Sequence, residues 1–92
     1  MAKKKQKSTR RPNEIECVDF IIKFGERVRN IRNKKGWTLE QCEERGYPSW
    51  KHLGDIETGK KVNMNFITML RIANLFGMKP YELIKGIKLG KF

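Results

Sequence analysis

The stretch YPSWKHLGDIETGKK (Tyr47 to Lys61) brings together the residues of this chain best suited to chemistry. At 100° per residue, Leu53 and Ile56 fall about 60° apart on one side of a helix. Lys51, Gly54, Asp55 and Thr58 cluster nearly opposite. An ammonium, a carboxylate and a hydroxyl around a gap left by glycine make a hydrogen-bonding surface. Lys51 can donate to guanine O6 and N7, and Asp55 can accept from cytosine N4. Gly54 weakens the helix but clears bulk from the outward side. The plainer alternative is an ordinary wet face on which Asp55 merely orients Lys51, an i,i+4 pair worth about 0.2–0.5 kcal/mol. Catalytic chemistry has no counterpart: there is no carboxylate pair with a cleft, no Ser/His/Asp set and no phosphate-cradling glycine loop. The chain is therefore expected not to be an enzyme.

The elements that must position this face are all helical in pattern. A first helix is expected over Cys17–Lys34, with Ile21, Phe24, Val28 and Ile31 inward and Lys23, Glu26, Arg27, Arg29 and Asn30 wet. Asn13 and Glu16 resemble a capping box that would start it earlier. Gly25, unfavourable in mid-helix, permits a close helix contact, and Gly36 ends the helix. Thr38 caps a second helix whose apolar pair is Leu39 and Cys42, and Gly46 stops it. Ser49 caps a third, from Trp50 to about Thr58. Asn65 caps a fourth over Phe66–Phe76, with a stripe of Phe66, Met69, Leu70, Ala73 and Phe76. Pro80 opens a short fifth to Lys85, with Leu83 and Ile84 inward. The fold class is all-α, five short helices over residues 13–86, between an arm at 1–12 and a tail at 87–92.

Ninety-two residues make one small domain with a modest core, and a net charge of +11 points to an anionic partner. The arm MAKKKQKSTRR carries Lys3, Lys4, Lys5, Lys7, Arg10 and Arg11 without an acid, and is too polar to order itself. It reads as a phosphate-tracking arm or as a solubilising tail. No apolar segment follows the lysines as in a secretory signal, and no run is long enough to span a membrane. Two cysteines and one histidine cannot build a four-ligand zinc site. Cys17 and Cys42 are expected as buried or half-buried thiols in a reducing cytoplasm. No metal, cofactor, membrane or small-molecule substrate is expected.

Helices two and three, joined by a four-residue turn, form a helix-turn-helix, and the major groove of B-DNA admits one such helix. From Phe24 to Ile84 the chain resembles the lambda-repressor-like, Xre-type helix-turn-helix domain. Three blocks carry the likeness at the family's spacing: FGERVRNIRNKKGWT, IETGK (Ile56 to Lys60) and NMNFITMLRIANLFGMKPYELI. The resemblance implies that Trp50, Lys51, Gly54 and Asp55 read bases. It implies that Thr38 presents its N–H and hydroxyl to a phosphate, and that Lys60 and Lys61 touch the backbone. Ser49, His52 and the six cations of the arm are expected on phosphates too. It further implies an internal ion pair of Arg32 with Glu57.

The departures from the family are specific. Leu39 stands where a phosphate-binding Gln is usual. Glu43 replaces the small Ala of the turn motif, and Tyr47 the turn Gly, with Gly46 one place earlier. Glu43 must send its side chain to solvent if the helices are to approach, so a reshaped turn is expected. Trp50 either extends the core stripe of Leu53 and Ile56 or faces the groove, and His52 either flanks the phosphates or is plain surface.

The expected function is a sequence-specific regulator binding double-stranded DNA as a homodimer in the cytoplasm, associated with the nucleoid. Ile15, Val18, Ile22 and the GIKLGKF end are the expected dimer surface. Two alternatives stand beside it. One is a protein-interaction module, such as an antitoxin or phage accessory protein on the same fold. The other is RNA or non-specific nucleic-acid binding driven by the arm.

Overall fold

The computed structural model describes residues 14–60 and 63–89. The basic arm, Asn13, Lys61 and the last three residues lie outside the described residues. Five helices follow in order: α1 (Glu14–Lys35), α2 (Leu39–Glu44), α3 (Trp50–Glu57), α4 (Phe66–Phe76) and α5 (Pro80–Ile84). Among the described residues there is no strand. The all-α expectation holds.

Helix α1 starts three residues before the expected Cys17. Glu14 and Glu16 sit in its first turn, where the positive end of the helix dipole favours acids. Thr38 closes a full capping box on α2: its Oγ1 accepts the Gln41 N–H at 3.0 Å, and Gln41 Oε1 accepts the Thr38 N–H at 2.8 Å. Asn65 Oδ1 caps α4 by accepting the Thr68 N–H at 2.9 Å. At α5 the Glu82 carboxylate accepts the Lys79 N–H at 2.7 Å. That helix ends at Ile84, one residue short of expectation.

The core gathers Phe24 and Val28 of α1, Cys42 of α2, Leu53 and Ile56 of α3, Ile72, Ala73 and Phe76 of α4 and Leu83 of α5, with Tyr47 from the α2–α3 turn. Both cysteines are free thiols, Cys17 half-buried and Cys42 buried; burial pushes the Cys42 thiol above its ordinary value. The expected stripe of α4 needs correction. Phe66 is 66% exposed and Leu70 41%, whereas Ile72 is fully buried. Met69, Ile72, Ala73 and Phe76 form the inward seam. Leu70 lies about 110° round the helix from its centre, and Phe66 is the first helical residue, overhanging the core's edge. Arg27 is a second correction. It does not stand on a wet face; its Nη1 donates to the carbonyls of Leu83 at 3.2 Å and Glu82 at 3.4 Å. A cation there satisfies the open end of α5 and complements its dipole.

Gly25 explains how α1 and α3 meet. It is buried, and a Cβ built on it would run into the Ile56 carbonyl oxygen and lie 3.1 Å from the Ile56 carbonyl carbon. The glycine lets the two backbones touch. Gly25→Ala should therefore destabilise the fold by about 2 kcal/mol or more, although Ala is the better helix former by about 1 kcal/mol. Urea unfolding reads the sign; an alanine variant more stable than the wild type would mean the helices do not approach this closely.

Candidate nucleic-acid interface

The inner end of α3 is anchored by charge. Arg32 Nε donates to Glu57 Oε2 at 2.7 Å and Nη2 to Oε1 at 2.8 Å, while Nη1 donates to the Trp37 carbonyl at 2.8 Å. The side chains are only 13% and 3% exposed. The hydrogen bonds to Glu57, and its charge, hold the guanidinium above its ordinary pKa. Buried charges survive only when paired and hydrogen-bonded, and among the described residues no buried side-chain nitrogen or oxygen lacks a partner. The Trp37 ring is itself covered by Arg45, 4.1 Å from its centroid.

The outer end is anchored by the turn. Gly46 takes φ +116°, a conformation that side chains resist, and the Tyr47 N–H folds back onto the Cys42 carbonyl at 3.1 Å. This drives the Tyr47 ring into the core, where it is 3% exposed. Its hydroxyl lies 2.9 Å from His52 Nδ1, and the two rings stack at 6.0 Å. Burial raises the Tyr47 pKa to about 12, partly offset by Arg71. Ser49 Oγ accepts the His52 N–H at 3.2 Å, and Glu43 Oε1 accepts the Trp50 N–H at 2.8 Å. The Glu43 side chain thus leaves the interface between α2 and α3 and turns to the start of α3.

Between these anchors lies the predicted face. Lys51 is exposed, and Gly54 and Asp55 are half-buried. Lys51 and Asp55 form no ion pair among the described residues. A Cβ on Gly54 would meet Leu39 Cδ1 at 3.2 Å. The missing side chain therefore accommodates α2, and the Leu at position 39 fills the space. Trp50 is 44% exposed and outside the core, so the core reading of this residue is corrected: it borders a groove with Glu40, Glu43 and Glu44. The Thr38 N–H, which the resemblance offers to a phosphate, is taken by Gln41, leaving the hydroxyl hydrogen. The Thr58 hydroxyl donates to the Gly54 carbonyl at 3.0 Å. Ser49 and His52 are half-buried and Lys60 is exposed. Lys61 and the arm's Lys3, Lys4, Lys5, Lys7, Arg10 and Arg11 lie outside the described residues.

Residues 25–89 match the family described as a helix-turn-helix domain. The chain belongs to that family. The match covers most of the chain and is consistent with the lambda-repressor-like resemblance of its motifs. No curated protein and no solved structure matches the chain.

Sequence reasoning missed three features of this helix-turn-helix. The Glu43–Trp50 contact joins residues seven apart across a turn whose path was open. The Tyr47–His52 contact had one sign, an aromatic between Gly46 and Pro48, where a wet loop needs none. The acidity of the unit was legible but hidden by the total. Residues 36–60 carry Arg45, Lys51 and Lys60 against Glu40, Glu43, Glu44, Asp55 and Glu57, a net −2 in a chain of net +11.

Arg32→Ala strands a buried carboxylate and should cost about 3–5 kcal/mol, against little for the exposed Arg29→Ala; equal urea midpoints would contradict the pairing. Tyr47 gives a pH test. The unfolded phenol loses its proton near pH 10 and the folded one only near about 12. Its contribution is thus whole below about pH 10 and lost as pH climbs to about 12, some 2 kcal/mol. Tyr47→Phe cannot show this loss, so the stability gap between variant and wild type should shift towards the variant from pH 9 to pH 11.5. A constant gap would place the phenol in water.

Proposed function

We propose that this helix-turn-helix protein is a sequence-specific transcriptional regulator that sets α3 in the major groove of an operator. The carrying observation is the exposed face of α3 in a member of this family, held at its inner end by Arg32–Glu57 and at its outer end by the turn. Trp50, Lys51, Gly54 and Asp55 are the proposed base-facing residues. The lysine supplies the commonest guanine contact, and the half-exposed indole offers apolar surface to a thymine methyl. Thr38, Ser49, His52, Lys60 and Lys61 are the proposed backbone contacts, joined by Lys3, Lys4, Lys5, Lys7, Arg10 and Arg11.

One helix-turn-helix per chain reads a half-site, so a two-fold homodimer on a palindromic operator belongs to this proposal. The exposed apolar side chains of Ile15, Ile22, Phe66 and Ile67 support a surface for a second copy. In this reading the molecule works in the cytoplasm on the nucleoid; no helix among the described residues is long and apolar enough to cross a membrane. No catalytic step is part of it.

The acidity of residues 36–60 favours a second reading, a protein-interaction module such as an antitoxin or phage accessory protein. Selection of duplexes from a random pool separates the two. A regulator enriches one palindromic site by about a thousandfold over random DNA, while an interaction module retains no duplex even at low salt.

Fluorescence anisotropy across a salt series divides the labour between arm and helix. Each phosphate contact contributes about 0.9 to the slope of log K against log[salt]. Deleting residues 1–11 should lower that slope by up to about 5, and weaken preferred and random duplexes alike. Lys51→Ala should weaken the preferred duplex by about 1–3 kcal/mol, relax preference at one base pair and change the slope by at most about one. Equal losses on both duplexes for Lys51→Ala would make that lysine a phosphate contact.

A further inference from the structure

We infer that Glu43, a residue to which the proposed function gives no contact with DNA, is a positioning residue for the reading helix: its carboxylate sets the first turn of α3 by holding the Trp50 N–H. The inference rests on the DNA-binding reading for its consequence, but not for its geometry.

The geometry is specific. Glu43 lies in the last turn of α2, where a helix dipole disfavours an acid, and beside Glu40 and Glu44, which repel it. Nothing on its own helix accounts for a carboxylate. The account lies across the turn. Trp50 is the first residue of α3, and its N–H is among the donors that a helix start leaves open. Glu43 Oε1 accepts it at 2.8 Å, and the positive end of α3 stabilises the charge. Ser49 Oγ takes the His52 N–H at 3.2 Å. Two of the open donors are thus held by side chains from outside α3, one of them on the preceding helix. The contact fixes more than a cap does, because it joins α2 to α3. A change in its length turns the start of α3, and with it Trp50 and Lys51, against the rest of the domain.

The second consequence is electrostatic. A carboxylate close to the proposed groove-facing side chains repels every phosphate, whatever the sequence. Charge alone would make Glu43 a liability, and removal of the charge should strengthen binding to any duplex. Removal of the acceptor should do something else: it should release the first turn of α3 and lose discrimination between duplexes. The two effects separate because glutamine loses the charge and keeps an acceptor oxygen, whereas alanine loses both.

The test compares Glu43→Gln and Glu43→Ala with the wild type on the preferred and a random duplex at one salt concentration. Glu43 is exposed, so both variants should fold; thermal unfolding checks this. Both should bind random duplex more tightly than the wild type by a similar factor. Glu43→Gln should keep the preferred-to-random ratio within about threefold, and Glu43→Ala should reduce it about tenfold, the scale of one charge-assisted hydrogen bond. A wild-type ratio in Glu43→Ala overturns the inference and leaves Glu43 as a charge alone. A readout without DNA keeps the test decisive if no duplex is preferred and the proposed function fails. The Trp50 amide proton should exchange with solvent faster, and resonate further upfield, in Glu43→Ala than in Glu43→Gln. An amide unchanged by alanine overturns the positioning role by itself.

Discussion

The guanidinium of Arg32 is where three segments of the chain meet. It reaches from α1 to the last residue of α3 through a two-point contact with Glu57, and its remaining nitrogen holds the Trp37 carbonyl between α1 and α2. A buried pair of this kind contributes little net stability, since desolvation offsets most of its attraction. Its consequence is orientation. The planar fork of arginine meets a carboxylate in few geometries, so the end of α3 is fixed in rotation as well as in place. Gly25, two turns earlier on the same face of α1, completes the constraint by letting the α1 backbone rest on the Ile56 carbonyl. Any side chain at position 25 would push α3 outward and pull Glu57 off its partner. The glycine and the ion pair depend on each other.

A helix of eight residues has no stability of its own in water. α3 exists because both ends are held and one side is buried. Leu53 and Ile56 supply the burial, Arg32 the inner end, and Glu43, Ser49 and the stacked Tyr47–His52 pair the outer end. The side left over carries Lys51, Asp55 and the exposed indole of Trp50. Lys51 and Trp50 are left to solvent there, with Asp55 half-buried, because the rest of the helix is engaged.

What was legible in the sequence was mostly local. Thr38, Ser49 and Asn65 cap helices as their types require, and Gly36, Gly46 and Gly77 close them, since caps depend on neighbours within a few residues. The exposure of Lys51 and Thr58 on α3 followed from projection alone; the half-burial of Gly54 against Leu39 did not. The Arg32–Glu57 pair did not: its partners stand 25 residues apart, and only the family likeness joined them. Leu70 and Ile72 could not be told apart on α4, because Ile67, Met69, Leu70 and Ile72 crowd one segment and offer two overlapping stripes. Arg27 reads as a surface residue by type, and only the position of α5 turns it into a cap. Trp50 stayed between core and surface because its angle to Leu53 suited both. Leu39 looked like a loss of function at a phosphate site; beside Gly54 it is the piece that lets α2 and α3 close.

The distribution of charge bears on how the proposed complex divides its work. The chain carries +11, yet residues 36–60 carry −2. Long-range attraction to DNA therefore cannot come from the helix-turn-helix. In the proposed complex it would come from the rest of the chain, which includes six cations in the first eleven residues. At physiological salt the screening length is about 8 Å, so acids beside α3 act only once it is at the duplex. There they repel all sequences equally, and a uniform penalty leaves the ratio between right and wrong sites unchanged. A cluster of glutamates next to a reading helix is then unfavourable on electrostatic grounds and neutral for specificity, unless one of them does something a neutral side chain does less well. Glu43 meets that condition: an ionised acceptor at a helix start binds an N–H more strongly than an amide oxygen would. Under this reading, overall attraction is surrendered in the one region where the direction of a helix matters more than its charge.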